Sequence, residues 1–202
     1  ANVGTHDVVL TVSDAFGTIE QSFTITVANV NDAPVFTSTA ITAATQDAVY
    51  SYTVAASDID GDALTFLAPT LPSPIWLSFD GTATISGTPT NANVGTHTVV
   101  LTVSDGTVSV EQSFTITVAN VNDAPVFLST TITAAPEDAA YSYTVAASDD
   151  DGNTLTYLAT TLPTWLSFNT STKLLSGTPT NDNVGTNNVV LTVSDGRESV
   201  VQ

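Results

Sequence analysis

Apolar side chains recur at every second position along most of this chain, and no stretch of useful length shows a helical spacing. Phe114, Ile116 and Val118 alternate with Ser113, Thr115 and Thr117. Tyr141, Tyr143 and Val145 alternate with Ser142 and Thr144, and Val99, Leu101 and Val103 follow the same rule. A period of two places successive side chains on opposite faces of a strand, so each run predicts a half-buried β-strand. Leu64 and Phe66 open another strand, and the WLSF run at Trp76 opens one more. The FDGT segment at Phe79 reads as a hairpin turn leading to Ile85. Gly and Pro punctuate the intervals. About seven short strands in roughly 90 residues predict an all-β, seven-stranded Greek-key sandwich.

The pattern also repeats. NVGTHDVVLTVSD begins at Asn2, NVGTHTVVLTVSD at Asn93 and NVGTNNVVLTVSD at Asn183, at offsets of 91 and 90 residues. EQSFTITVANVNDAPVF starts at Glu20 and returns at Glu111; YSYTVAASD starts at Tyr50 and returns at Tyr141. A fixed period of this length marks a tandem array in which each repeat is one sandwich. The NDAP punctuation near Asp32 and Asp123 sets the expected boundaries. Residues 1–31 are then the C-terminal strands of one repeat, 32–122 a complete repeat, and 123–202 a repeat lacking its last strand. The expected whole is an elongated array of which this chain is a window. If it is instead a short chain in its own right, the SFTITV strand of one molecule could complete the third repeat of another.

Charge narrows the function. Two basic residues, Lys173 and Arg197, stand against 20 acidic ones, for a net charge of −18. That balance excludes nucleic acid and anionic membrane surfaces as partners, since both require Lys and Arg. There is no Cys, hence no disulfide or thiolate metal site, and one lysine leaves no general route to isopeptide cross-links. No apolar run reaches the length of a membrane-spanning helix, and the first residues carry no signal-peptide pattern. Sixteen of the acids are Asp and four are Glu. Asp belongs to turns and caps, so the charge sits in loops.

On a seven-stranded sandwich those loops converge. DIDGD (Asp58, Asp60, Asp62) follows the second strand of the middle repeat, SDG (Asp105) follows the sixth, and the linker residues Asn29, Asn31 and Asp32 enter beside them. In the third repeat the matching set is Asp149, Asp150, Asp151 and Asn153, with Asp195 and the linker residues Asn120, Asn122 and Asp123. Gln46 and Asp47 after the first strand, and Asn91 and Asn93 before the sixth, are expected to face that second set. Carboxylates within about 6 Å repel by roughly 1 kcal/mol per pair, and the chain has almost no Lys or Arg to neutralise them. Hard oxygen donors spaced D-x-D-G-D, without His or Cys ligands, suit Ca²⁺; Mg²⁺ demands a tighter octahedron and is the weaker candidate.

VANVNDAPVF resembles the interdomain linker of cadherins, with Asn at the first acidic position. AASDIDGDAL and AASDDDGNTL resemble the cadherin D-x-D-x-G segment, and PED at Pro136–Asp138 resembles the acidic turn after the first strand, where the middle repeat has Gln46. With LPxWLSF, SGTPTN and VVLTVSDG, the whole chain is similar to dystroglycan-type cadherin-like and immunoglobulin-like repeats of giant bacterial surface adhesins. The resemblance implies calcium at the junctions and an extracellular, cell-surface location. Gln46 and the Asn substitutions imply fewer or weaker ions per junction than in cadherins. The cadherin acidic turn before the sixth strand has no match, and Asn91 and Asn93 stand in its place.

The remaining candidates are weaker. Trp76 and Trp165 lie in strand-like runs and are expected in the core rather than stacked on sugar, as is one edge of Tyr50, Tyr52, Tyr141 and Tyr143. His6 and His97 hold one place in two copies and Asn187 holds it in the third, which is no metal-ligand pattern. Glu20 and Glu111 are expected to be solvated. No nucleophile motif or glycosidase-type cleft is legible, so no enzyme is expected. The expected role is a calcium-stiffened extender of a long adhesin or surface fibre, with neighbouring repeats as partners. The alternatives are calcium-dependent polysaccharide binding and a fibre completed by strand exchange between like molecules.

Overall fold

The alternating runs become strands throughout. The computed structural model describes residues 2–73 and 75–202; Ala1, in the first-repeat tail, and Pro74, in the LPSPIWLSF run, lie outside them. Two strands, β1 (Gly4–Ser13) and β2 (Thr18–Val27), form an antiparallel hairpin that pairs Gly4 with Val27 and Ser13 with Thr18. Asp14 builds its turn, accepting the N–H groups of Phe16 and Gly17 at 2.8 and 2.9 Å.

The middle repeat runs β3 (Val35–Phe36), β4 (Ala43–Thr45), β5 (Tyr50–Thr53), β6 (Ala56–Ser57), β7 (Thr65–Thr70), β8 (Leu77–Phe79), β9 (Thr84–Gly87), a 3-10 turn (Asn91–Asn93), β10 (Gly95–Ser104) and β11 (Ser109–Ala119). Its sheets are β4-β11-β10-β7 on one side and β5-β9-β8 with the β3-β6 pair on the other. Lettered A to G, with A and B each broken in two, this is the ABED and A′GFC arrangement of an immunoglobulin-like sandwich. Thr117 N donates to Thr42 O at 2.8 Å and Gln46 N to Ala119 O at 2.9 Å, so β4 runs parallel to β11. The third repeat follows the plan without a counterpart of β4, through β12 (Val126–Phe127), β13 (Tyr141–Thr144), β14 (Ala147–Ser148), β15 (Thr156–Thr161), β16 (Leu166–Asn169), β17 (Leu174–Gly177), a 3-10 turn (Asn181–Asn183), β18 (Val190–Ser194) and β19 (Ser199–Val201). Its last strand is the three-residue β19, paired to β18.

Two compact units divide the chain. One holds Ala1–Ala43, Val49–Thr88 and Thr96–Thr117; the other holds Ala44–Ala48, Pro89–Gly95 and Val118–Gln202. In the first, Tyr50, Tyr52, Trp76, Leu77, Ile85 and Leu101 are buried. In the second, Tyr143, Val145, Leu175 and Leu191 form the centre, with Tyr157 and Phe168 packed against them. Each buried aliphatic or aromatic side chain contributes about 1.5–3 kcal/mol.

Both cores carry the same aromatic clamp. Tyr50 meets Trp76 edge to face at 5.8 Å, and Tyr141 meets Trp165 at 5.9 Å. Gly87 and Gly177 let the backbone pass: a Cβ there would lie 1.8 Å from Trp76 O and 2.0 Å from Trp165 O. Tyr52 Oη donates to Gln112 Oε1 at 3.0 Å, and Tyr143 Oη to Gln202 Oε1 at 2.7 Å. Trp76 is buried as expected, whereas Trp165 is half-buried.

The β1–β2 hairpin has the sequence of strands F and G without their surroundings. Leu10 is 54% exposed where its counterpart Leu101 is 1%, and Ile25 is 48% where Ile116 is 0%. The alternation is thus a property of the strand, while burial depends on the opposite sheet.

Candidate metal centre

In the first unit, strand B ends at β6 and the chain turns through Asp58–Asp62. Asp58 Oδ1 accepts the N–H of Asp60 at 2.8 Å and, more weakly, that of Asp62 at 3.3 Å. Gly61, at φ +81°, permits the reversal that lets three carboxylates converge. One oxygen from each of Asp58, Asp60 and Asp62 lies within 4.8 Å of the others. The linker docks on this turn, because Asp32 N donates to Asp60 Oδ2 at 2.8 Å. Asn31 Nδ2 reaches Asp105 Oδ2 at 2.9 Å, bringing in the loop after strand F. Asp105 Oδ1 also accepts the N–H groups of Thr107 and Val108. The Val108 N–H first, then the Asn31 amide, hold the Asp105 carboxyl below the usual carboxylate range.

The second unit builds the same set at residues 90–91 further along. Asp123 N donates to Asp151 Oδ2 at 2.8 Å, and Asn122 Nδ2 to Asp195 Oδ2 at 2.7 Å. Asn153 N donates to Asp149 Oδ1 at 3.0 Å, so Asn153 takes the place of Asp62. The Asn122 amide is the leading cause that lowers the Asp195 carboxyl, with the N–H groups of Glu198 and Arg197 behind it. Here strand-A and pre-F loops join as well. Gln46 Nε2 donates to Asp123 Oδ2 at 2.8 Å, Asp47 sits beside it with φ +59°, and Asn91 Nδ2 donates to the Asp150 carbonyl. Gln46, Asp47, Asn91, Asp123 and Asp150 line one shallow recess with Thr90 and Ala92.

Not every expected residue joins. Asn29 and Asn120 are exposed linker residues, and among the described residues no hydrogen bond ties either to the Asp turns. Asn93 is buried and turned inward: its Oδ1 accepts from Thr90 N and Oγ1 at 2.9 and 3.0 Å, fixing the 3-10 turn rather than facing the recess. The roles of Gln46 and Asn91 as hydrogen-bond donors were not legible. Their partners lie 77 and 59 residues away, and nothing local in the sequence signals such pairs.

The residues present fit a hard cation. Asp58 Oδ2, Asp149 Oδ2 and Asp151 Oδ1 are buried atoms without a hydrogen-bond partner. Such an orphan costs about 1–3 kcal/mol, and more for a charged group. The donors gathered are carboxylate and amide oxygens only, which bind hard cations.

Sandwiches of ABED and GFC sheets, the middle one with an added A′ strand, and acid-rich loops at the linker end define an immunoglobulin-like repeat protein. The sequence model of the family described as "Putative Ig domain" matches residues 33–119 and 124–202, and the chain belongs to that family. Over 133 residues, 62% of this chain, it is 34% identical to the serine-rich adhesin for platelets of Staphylococcus aureus (strain USA300). The match spans only 6% of that adhesin's length. Human protocadherin-24 EC1-2 superposes at a TM-score of 0.50 with 18% identity, covering 85% of this chain and 94% of that one, a likeness of fold. An endo-fucoidan hydrolase of glycoside hydrolase family 107 is 28% identical and covers 100% of this chain and 33% of its own, but its TM-score of 0.41 supports no inference about activity.

Proposed function

We propose that these repeats are non-catalytic extenders of a long extracellular adhesin or surface fibre of a bacterium, stiffened by calcium where one repeat passes into the next. The observation that carries this reading is the duplicated Asp cluster. Two copies of one hydrogen-bond pattern tie the entering linker to the DxDG turn and to the loop after strand F, and both leave buried carboxylate oxygens unpartnered. Similarity to a staphylococcal adhesin supports the class of parent protein.

In this reading Asp32, Asp58, Asp60, Asp62 and Asp105 hold one ion site, and Asp123, Asp149, Asp151 and Asp195, with Asn122 and Asn153, hold the other. Asp47 joins the second from the strand-A side, and the linker residue Asn31 offers an amide or carbonyl oxygen to the first, whereas Asn29 and Asn120 stand outside both. Calcium supplies the positive charge that the chain lacks. The chain's own residues do the rest: Asn31 and Asn122 orient the post-F aspartates, and the N–H groups of Asp32 and Asp123 seat the linker. The repeats proposed are 32–122 and 123–202, with 1–31 the end of a preceding one. Polysaccharide stacking is the weaker alternative, because Tyr50, Tyr52, Tyr143 and Trp76 are buried.

Isothermal titration and small-angle scattering, each with calcium and with excess chelator, test this. Calcium should bind exothermically or endothermically at defined stoichiometry and sharpen the maximum dimension; chelator should broaden it. Absence of both binding and a scattering change would overturn the reading and leave insoluble-polysaccharide pull-down as the next assay.

A further inference from the structure

We propose that Gln46 is an ion-independent latch that holds its own junction loop on the linker when calcium is absent. The proposal rests on the calcium reading above only for its regulatory consequence. Gln46 is 3% exposed, a rare burial for a polar side chain. Every polar atom of its carboxamide is used. Nε2 donates to Asp123 Oδ2 at 2.8 Å and to Asp47 Oδ2 at 3.3 Å, while Oε1 accepts from Val121 N at 3.3 Å. Its own N–H donates to Ala119 O at 2.9 Å. One residue therefore grips residues 119–123 at three points.

The amide does here what a cation would otherwise do. Asp47 and Asp123 carboxylates point at one spot, and two N–H groups of a neutral side chain bridge them. A hydrogen bond to a charged acceptor is among the stronger neutral-donor contacts, and a buried, fully satisfied one resists solvent. A carboxylate at position 46 would reverse the logic. It has no N–H to give, would oppose both aspartates, and would need a cation between them. The chain carries both side chains at this place, since Glu137 stands at the position matching Gln46 in the third repeat, in the PED turn. Turns with Gln are thus latched permanently, and turns with Glu are gated by the ion. An array mixing the two would have joints that respond to falling calcium at some positions and hold at others.

Amide exchange of residues 119–123, read on the full chain in chelator and in calcium, tests the latch. Wild type should keep Val121 protected to within about twofold in both conditions. Q46E should lose about tenfold in chelator, the loss of one hydrogen bond to a charged group, and regain it with calcium. Q46A should lose protection in both. Protection in β18, outside the contact, reports that each variant is folded. Wild type losing protection in chelator as far as Q46E, or Q46E keeping it there, overturns the latch. Wild type protected and Q46A unprotected in chelator, with no heat of calcium binding and no rescue of Q46E, upholds the latch and removes the calcium reading instead.

Discussion

Asp60→Asn should stabilise the calcium-free protein and destabilise the calcium-bound one. Asp60 stands between Asp58 and Asp62, with oxygens within 4.8 Å of both. At that separation two unit charges in water repel by about 0.9 kcal/mol, and physiological salt roughly halves this. Removing the central charge deletes two such pairs, about 1 kcal/mol in all, already taken at the solvent-screened limit proper to an exposed loop. The substitution retains an acceptor for Asp32 N–H, now 2.8 Å from Asp60 Oδ2, but a neutral one, which returns part of the gain. A net of about 0.5–1 kcal/mol raises the melting temperature of a domain this size by about 2–8 °C. In calcium the sign reverses, because an amide oxygen replaces a carboxylate ligand and the ligand-linked stabilisation falls. Differential scanning calorimetry of wild type and variant, each in chelator and in millimolar calcium, reads both signs. A lower melting temperature for the variant in chelator would refute the repulsion argument. An equal calcium-induced rise in both proteins would refute Asp60 as a ligand.

Three further outcomes follow from other contacts. Asn122→Ala should raise the Asp195 carboxyl toward its ordinary value near 3.9, more than Asn31→Ala raises Asp105, because the Asn amide leads at Asp195 and is second at Asp105; carboxyl carbon titration by NMR reads this. Since a lowered folded-state value contributes stability above the unfolded one and loses it as pH falls through the folded one, the variant's acid unfolding should begin at higher pH. Gly87→Ala should cost about 3 kcal/mol in urea unfolding, because the new methyl meets the Trp76 carbonyl, a backbone atom that cannot swing aside. His97→Asn gives the buried and unpartnered Trp76 Nε1 the acceptor that Asn187 gives Trp165 Nε1 at 3.1 Å, but removes the edge-to-face contact of the His97 ring with Trp76 at 5.8 Å, so stability should change by less than about 1 kcal/mol while the indole N–H becomes protected from exchange; an N–H exchange rate equal to wild type would refute the new bond.

The strands were legible because one physical rule sets them. Phe114, Ile116 and Val118 alternate with threonines, and the structure buries Ile116 and Val118 while leaving Thr115 and Thr117 exposed. The convergence of DIDGD with Asn31, Asp32 and Asp105 was legible for a related reason: once strand order is known, loops at one end of a sandwich must meet. What escaped depends on atoms rather than order. Nothing in the letters tells that Asn93 turns inward to Thr90 while Asn91 turns outward, since both amides have equal capacity to donate and accept. The SGTPT motif stands out in the sequence, but its glycine is required by the Trp76 or Trp165 carbonyl beside it, a neighbour that only the fold brings near. The break in strand A likewise arises from the chain crossing between sheets, with β3 pairing to β6 and β4 to β11.

The parallel pairing of β4 with β11 sets how a repeat meets tension. β4 lies near the start of the middle repeat and β11 at its end, side by side and pointing the same way. A pull on the two ends draws these strands past each other along their length. The hydrogen bonds between them, including Thr117 N to Thr42 O and Gln46 N to Ala119 O, are then strained together instead of one after another. A pair loaded in this sliding direction must break as a group, whereas the antiparallel β1–β2 hairpin, pulled at its open end, would peel rung by rung. The same few residues that close the sandwich therefore also set the force at which it gives way.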